Sequence, residues 1–407
     1  MAPSLLRLTG RRVPVAAVVA TLLLACCGYL LRGEGLASRP LSTALRLSIR
    51  LWQGNPPPLQ VPCQPKRRIV FARTHKTGSS TVTTLLERYA YNRGLNFALP
   101  GRTHVFSQFD KFSSSKAYLA DLRDGNGSLV MPALGGYHIL ANHARYNRPE
   151  QAALIPGAFY LTIIRDPVKQ LESAFNFFRM SRYVPHGNLS GVLQTPAESF
   201  YRSSNSKPMG FLRNGQLYDL GLEQTSQDEE AVAAKIQALD REMDLVMIME
   251  YFDESLLLLR KLLCLELADI VYMSQLVRKP EARTQLSAEL AGQMRAWNHA
   301  DVRLYRHFNA SFWEKVRAYG TGFQGDLAAF RALRENATRT CLQGAKVVLD
   351  KHKTSSHRLS ANASTTCKDL VRSDTSWVRI LRRELQQRTT AFLEKRTGPT
   401  PGNASLS

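Results

Sequence analysis

Acidic residues are scarce in this chain of 407 residues: 33 Asp and Glu stand against 54 Lys and Arg, a formal charge of +21. That imbalance leaves three kinds of partner open: a nucleic acid, an anionic membrane surface, or an anionic substrate or cofactor. The sequence contains no RRM, zinc-finger or homeodomain pattern, so nucleic acid is not an expected partner. Cysteine is sparse too, six in all, and no C-x-x-C occurs. This excludes the common zinc and thioredoxin-type motifs. Internal repeats and heptads are missing. So is the Gly-x4-Gly-Lys-Ser/Thr loop of nucleotide triphosphatases. Hydrophobic residues, at 44%, are not lacking, so one large domain or two small ones with a sizeable core can form.

What is present begins with an uncharged run, "VPVAAVVATLLLACCGYLL", from Val13 to Leu31. At about 1.5 Å per residue it spans about 28 Å, one hydrocarbon core. It exceeds the about 7–15 residues of a cleaved signal's apolar region, so an uncleaved anchor is expected. Arg7, Arg11 and Arg12 precede the run, and Arg32 with Glu34 follows. Positive charge stays in the cytosol, which predicts a cytoplasmic tail (1–12), a transmembrane signal-anchor (13–31) and a lumenal body. Six N-x-Ser/Thr triplets, at Asn126, Asn188, Asn309, Asn336, Asn362 and Asn403, agree with a lumenal body. Cys26 and Cys27 fall in the anchor. The other four cysteines allow three pairings in an oxidising lumen. Sequence proximity favours Cys341–Cys367, leaving Cys63–Cys264.

Residues 32–64, with a triple proline, read as a stem. Three strand-to-helix units follow: "RRIVFA" before Arg73, "GAFYLTIIRDP" before a helix opened by Pro167, and "DLVMIMEYFDESLLLL", whose helix starts at Asp253 or at the Glu254-Ser255 step. Short, wholly apolar strands between helices predict an α/β fold with a central parallel sheet flanked by helices. From Leu286 the pattern is helical, and Trp297, Leu304, Tyr305, Phe308, Phe312 and Trp313 read as packing residues.

The first strand runs into "RTHKTGSST", Arg73 to Thr81, where every residue is Arg, His, Lys, Thr, Ser or Gly. Backbone N–H groups around Gly78, Ser79 and Ser80 meet a helix N-terminus carrying about half a positive charge. Hydroxyls of Thr77, Ser79, Ser80 and Thr81 and the ammonium of Lys76 complete an anion site. The plain alternative is a Ser/Thr helix cap beside an incidental lysine. The second strand ends at Arg165, with Ser173 two turns into the next helix. A guanidinium there binds a second phosphate bidentately; the plain alternative is an Arg165–Asp166 surface pair. Two phosphate sites on neighbouring strand ends, with no metal-binding carboxylate pair, point to a nucleotide with two separated phosphates and no metal.

"FARTHKTGSST" and "FYLTIIRDPVKQLESAF" resemble the 5′-phosphosulfate loop and 3′-phosphate site of Golgi sulfotransferases, which use 3′-phosphoadenosine 5′-phosphosulfate (PAPS). Together with "ALPGR", "ANHARYN", "EYFDESLLLLRKLLC" and "LYRHFNASFW" they resemble the galactose 3-O-sulfotransferases, over about Cys63 to Cys341. That family often has Ala where Gly78 stands and Cys where Ala141 stands; both are small. The resemblance implies a P-loop-like sulfotransferase fold over 65–345, followed by a helical extension and tail over 346–407. It also implies PAPS as donor, the galactose of a glycolipid such as galactosylceramide or of a glycan as acceptor, and a type II Golgi membrane protein.

Sulfuryl transfer needs a cation on the departing bridging oxygen, a role for Lys76, and a base for the sugar hydroxyl. His75 adjoins Lys76 and is the first candidate. His143, in "ANHARY" after the apolar "YHIL", is the second, either as orienter or base, unless it merely pairs with Arg145. His307 reads as structural, and Glu250 and Asp253 rank lower. Arg278, Lys279 and Arg283 form a basic stretch that could close over the nucleotide. Another acceptor, such as a glycosaminoglycan, stays open. So does a non-catalytic lumenal glycan-binding protein, although the intact Lys76, Arg165 and Ser173 speak against it.

Overall fold

A computed structural model of the chain describes residues 63–101, 103–196, 208–223, 228–273, 285–343, 348–349, 355–356 and 358–397. The expected cytoplasmic tail, anchor and nearly all of the stem lie outside these residues, as do Arg278, Lys279, Arg283 and the final ten residues. No helix among the described residues is long and apolar enough to cross a membrane.

Four parallel strands, β1 (Ile69–Ala72), β2 (Ile139–Leu140), β3 (Phe159–Ile164) and β4 (Leu245–Ile248), form the central sheet in the order β2-β1-β3-β4. Ile69 pairs with both Ile139 and Phe159, and Leu161 pairs with Leu245. Every strand residue is buried, as expected when helices cover both faces of a parallel sheet. The chain leaves β1 toward β2 on one side, while β3 lies on the other. The sheet's topological switch point is therefore between β1 and β3. In open α/β sheets ligands bind in the crevice beyond the strand C-termini at such a point.

The helices that matter for the site are α1 (Ser79–Asn92), α2 (Arg148–Leu154), α3 (Pro167–Phe177), α4 (Gly215–Asp219), α5 (Glu229–Glu242), α6 (Phe252–Leu263), α7 (Ala288–Trp297), α8 (His299–Tyr319), α9 (Phe323–Cys341) and α10 (Asp374–Thr397). Pro167 opens α3, and the Asp166 carboxylate accepts from the Lys169 N–H (3.0 Å). This satisfies one of the donors that every helix start leaves open. Helix α6 starts at Phe252, ahead of the expected Asp253. A 3₁₀ turn over Met249–Tyr251 carries the chain off β4, and Asp253 and Glu254 fall in the first helical turn. Leu304, Phe308 and Phe312 of α8 are buried against the sheet side of the core, as their spacing predicted.

Gln64–Ser407 clusters as one compact unit. Helix α10 packs along α1, with Trp377 fully buried and its ring 5.5 Å from that of Tyr91. The expected Cys341–Cys367 disulfide is present and joins the end of α9 to the segment leading into α10. Cys63 and Cys264 are disulfide-bonded as well.

Candidate active site

The loop after β1 turns back on itself before entering α1. Lys76 has φ 64° and Gly78 has φ 80°, both left-handed. A Cβ on Gly78 would stand 2.4 Å from Sδ of Met249, so both the backbone and the neighbour from the end of β4 call for glycine. The helix N-cap is Gly78 itself, with no side-chain cap, which disposes of the simple Ser/Thr-cap reading. Some of the loop hydroxyls serve the loop. Ser79 Oγ donates to the Thr74 carbonyl (2.6 Å), and Thr77 Oγ1 bonds Thr74 Oγ1 (2.8 Å). Thr74 Oγ1 in turn donates to the Ile163 carbonyl on β3. Ser80 Oγ accepts from Arg73 Nη2 (2.9 Å) and keeps its own proton to donate, and Thr81 is half-buried at the helix start. What the loop offers an anion is the N-terminus of a 14-residue helix, with Ser80, Thr81 and Lys76 around it. The Lys76 ammonium lies 3.6 Å from the ring centroid of Phe177, at the end of α3.

The second site adjoins the first. Arg165 Nη1 donates to the Lys76 carbonyl (3.1 Å), so the guanidinium at the end of β3 reaches across the switch point to the loop after β1. Asp166 is spent on the α3 cap, not on an Arg165 surface pair. Ser173 is buried in α3 (7% exposed), the helix whose far end meets Lys76. The Arg165 backbone is held at both groups by Gln216 of α4: its N–H donates to Oε1 (2.7 Å) and its carbonyl accepts from Nε2 (2.9 Å).

His75 and His143 come together. Their rings stack at 4.1 Å, and Phe211 stacks on the other face of His75 at 3.9 Å. Asp219, the last residue of α4, accepts from the His75 backbone N–H (2.6 Å) and lies 2.9 and 3.0 Å from Nδ1 through its two oxygens. A carboxylate only accepts, so Nδ1 carries the proton and Nε2 is the basic nitrogen. His143 is not the partner of Arg145, which is committed to the carbonyls of Tyr218 and Leu222 and to Glu223. Burial, then the nearby Arg73 and His75, push the His143 imidazole well below its ordinary value, so it stays neutral. Its Nδ1 is buried without a hydrogen-bond partner.

The lower-ranked groups have other work. Asp253 pairs with Arg331 and Arg334 of α9 and accepts from Tyr272. Glu250 accepts from Tyr305 and from the Asp166 N–H. His307 meets Asp240 (3.2 Å) on an exposed helix face.

Sequence reasoning missed α4. Its five residues carry no periodic signal, yet Gln216 and Asp219, three apart on one face, hold the two strand-end loops in place. The only cue was a polar pair between apolar residues in "GQLYDLG", and nothing local ties Asp219 to a histidine 144 residues away.

The galactose-3-O-sulfotransferase family matches residues 1–387. The chain is 37% identical over 296 residues to galactosylceramide sulfotransferase of Bos taurus, covering 70% of this chain and 66% of that one. It is 38% identical over 299 residues to galactose-3-O-sulfotransferase 3 of Bos taurus, with the same coverage. Against galactose-3-O-sulfotransferase 2 of Homo sapiens it is 33% identical over 332 residues, 80% of this chain and 78% of that one. The first two matches thus span just under two thirds of the relative's own length. A match running from the first residue through the anion loop, the Arg165 strand end, α4 and most of α10 leaves one assignment: the chain belongs to the galactose-3-O-sulfotransferase family.

Proposed function

We propose that the protein transfers the sulfuryl group of PAPS to the 3-hydroxyl of galactose, carried by a glycolipid such as galactosylceramide or by a galactose-terminated glycan. The observation that carries this reading is the Arg165–Lys76 bond, which joins two anion-binding strand ends beside a histidine whose Nδ1 faces Asp219. The donor set fits PAPS. The N-terminus of α1 with Lys76, Ser80 and Thr81 suits the 5′-phosphosulfate, and Arg165 with Ser173 suits the 3′-phosphate.

PAPS supplies an already activated sulfuryl group, so this chain's residues hold, orient and move a proton. The Lys76 ammonium meets the charge that builds on the bridging oxygen as the sulfur–oxygen bond to phosphate breaks. His75 Nε2 takes the proton of the acceptor hydroxyl as its oxygen bonds to sulfur, and Asp219 stabilises the resulting imidazolium. Neutral His143, stacked on His75, orients the acceptor. Galactose as acceptor is supported by the names of the relatives. The type II topology is supported by the apolar run at 13–31, its flanking arginines and the sequons, and the Golgi membrane by the resemblance to the Golgi sulfotransferases.

The test is transfer of label from PAPS to a panel holding galactosylceramide, a galactose-terminated oligosaccharide and a glycosaminoglycan. Label is expected on the 3-position of galactose, and Lys76→Ala is expected to lower kcat by about 10²–10³ with little change in acceptor KM. Label on the glycosaminoglycan alone, no transfer to any acceptor, or a normal kcat in Lys76→Ala would overturn the reading.

A further inference from the structure

We propose that Asp374, at the start of the C-terminal helix α10, is a positioning residue for the donor loop, acting through Arg73 on Ser80; the proposal rests on the donor reading above. Arg73 is the first residue after β1 and is 4% exposed. One of its nitrogens, Nη2, donates both to Ser80 Oγ (2.9 Å) and to Asp374 Oδ2 (3.1 Å). A single guanidinium thereby ties together the entry to the loop, the first turn of α1 and the N-terminus of α10.

Asp374 is the one carboxylate paired with this guanidinium among the described residues. Arg73 Nε and Nη1 are buried with no hydrogen-bond partner, so the charge is met on one side only. Glu87 does not replace Asp374. It lies seven residues along α1 from Ser80, fully buried, with both carboxyl oxygens unpartnered, and burial, then the nearby Asp374, raise its pKa well above the ordinary value. It therefore stays protonated. Burial raises the Asp374 carboxyl too, but Arg73 and His104 more than offset this and hold it below the ordinary value.

The direction of the chain of bonds matters. Asp374 accepts from Arg73, and Arg73 donates to Ser80. The Ser80 oxygen is thus used as an acceptor, and its own proton is left for an anion at the helix N-terminus. Without the carboxylate, a buried cation is left with no counter-charge, and both its position and the polarity of Ser80 are released.

The experiment compares wild type, Asp374→Asn and Asp374→Glu for calorimetric binding of adenosine 3′,5′-bisphosphate, the KM of each substrate, kcat and Tm. Asp374→Asn is expected to weaken bisphosphate binding and raise donor KM about tenfold, with acceptor KM within about twofold; Asp374→Glu should recover most of the loss. If Asp374→Asn does not fold, Arg73→Lys keeps the charge, loses the two-way contact and should show the same donor-specific rise. An unchanged donor KM in the folded variant overturns the proposal. So does an equal rise in both KM values that the glutamate fails to rescue. Wild type that neither binds the bisphosphate nor transfers sulfate would instead defeat the donor reading itself.

Discussion

Lys76 takes a left-handed backbone that side-chain-bearing residues seldom adopt, at a cost on the order of 1–3 kcal/mol. The surrounding bonds hold it there. Its carbonyl accepts from Arg165, its ammonium sits on Phe177, and the next-but-one residue is a glycine that Met249 packs against. The neighbouring His75 is held just as firmly, between two rings and against Asp219. Asp219→Asn keeps the shape but offers Nδ1 an amide in place of a carboxylate, so the tautomer and the imidazolium both lose their support. We expect kcat to fall by about 10²–10⁴, with donor KM nearly unchanged. A pH–rate profile of Asp219→Asn that overlays the wild type would show that His75 is not the base. The loop residues were legible in the sequence because nine consecutive positions share one kind of chemistry. Asp219 and Asp374 were not, because each reaches its partner across 144 and 301 residues and leaves no local pattern.

At the scale of elements, α4 is too short to stand alone, and its start is held by a buried carboxylate. Asp301 of α8 accepts from the N–H groups of Gln216 (3.0 Å) and Leu217 (2.9 Å). Burial raises its pKa to about 7, although those two N–H bonds pull the other way. An unfolded aspartate titrates near 3.9, so between about pH 4 and pH 7 the folded state binds the extra proton, and stability falls as pH rises through that window. Above about pH 7 both states are ionised and this contribution no longer changes. The Tm of wild type should therefore drop between pH 5 and pH 7 more than that of Asp301→Asn; parallel curves for the two would remove Asp301 as the cause. The strands were readable from their unbroken apolar runs, and α3 from Asp166-Pro167. The start of α6 was misplaced because Asp253 and Glu254 look like caps but occupy its first turn. Two-residue β2 was visible only as the apolar "YHIL".

At the scale of the whole molecule, the sequons separate by exposure. Asn126, Asn336 and Asn362 are exposed, and so is Asn188, which also accepts from the Gly191 N–H at a helix start. Asn309 is half-buried within α8, with its side-chain oxygen shut from solvent. Glycopeptide mapping of the protein expressed through a secretory pathway should find sugar at one or more of the exposed sites and none at Asn309; a glycan on Asn309 would contradict the packing of α8. The parallel order β2-β1-β3-β4 has a further outcome: both proposed anion sites fall at the switch point, and the last helix packs along the first. That packing sets a schedule for biogenesis. Arg73 and Asp374 are 301 residues apart, and ribosomes add about 5–20 residues per second, so the loop's arginine waits about 15–60 s for its counter-charge to be made. Until then the strand-end loops can form but cannot be locked, and a nascent chain captured before residue 374 should expose Arg73 to solvent and to the chaperones that watch for unfinished cores.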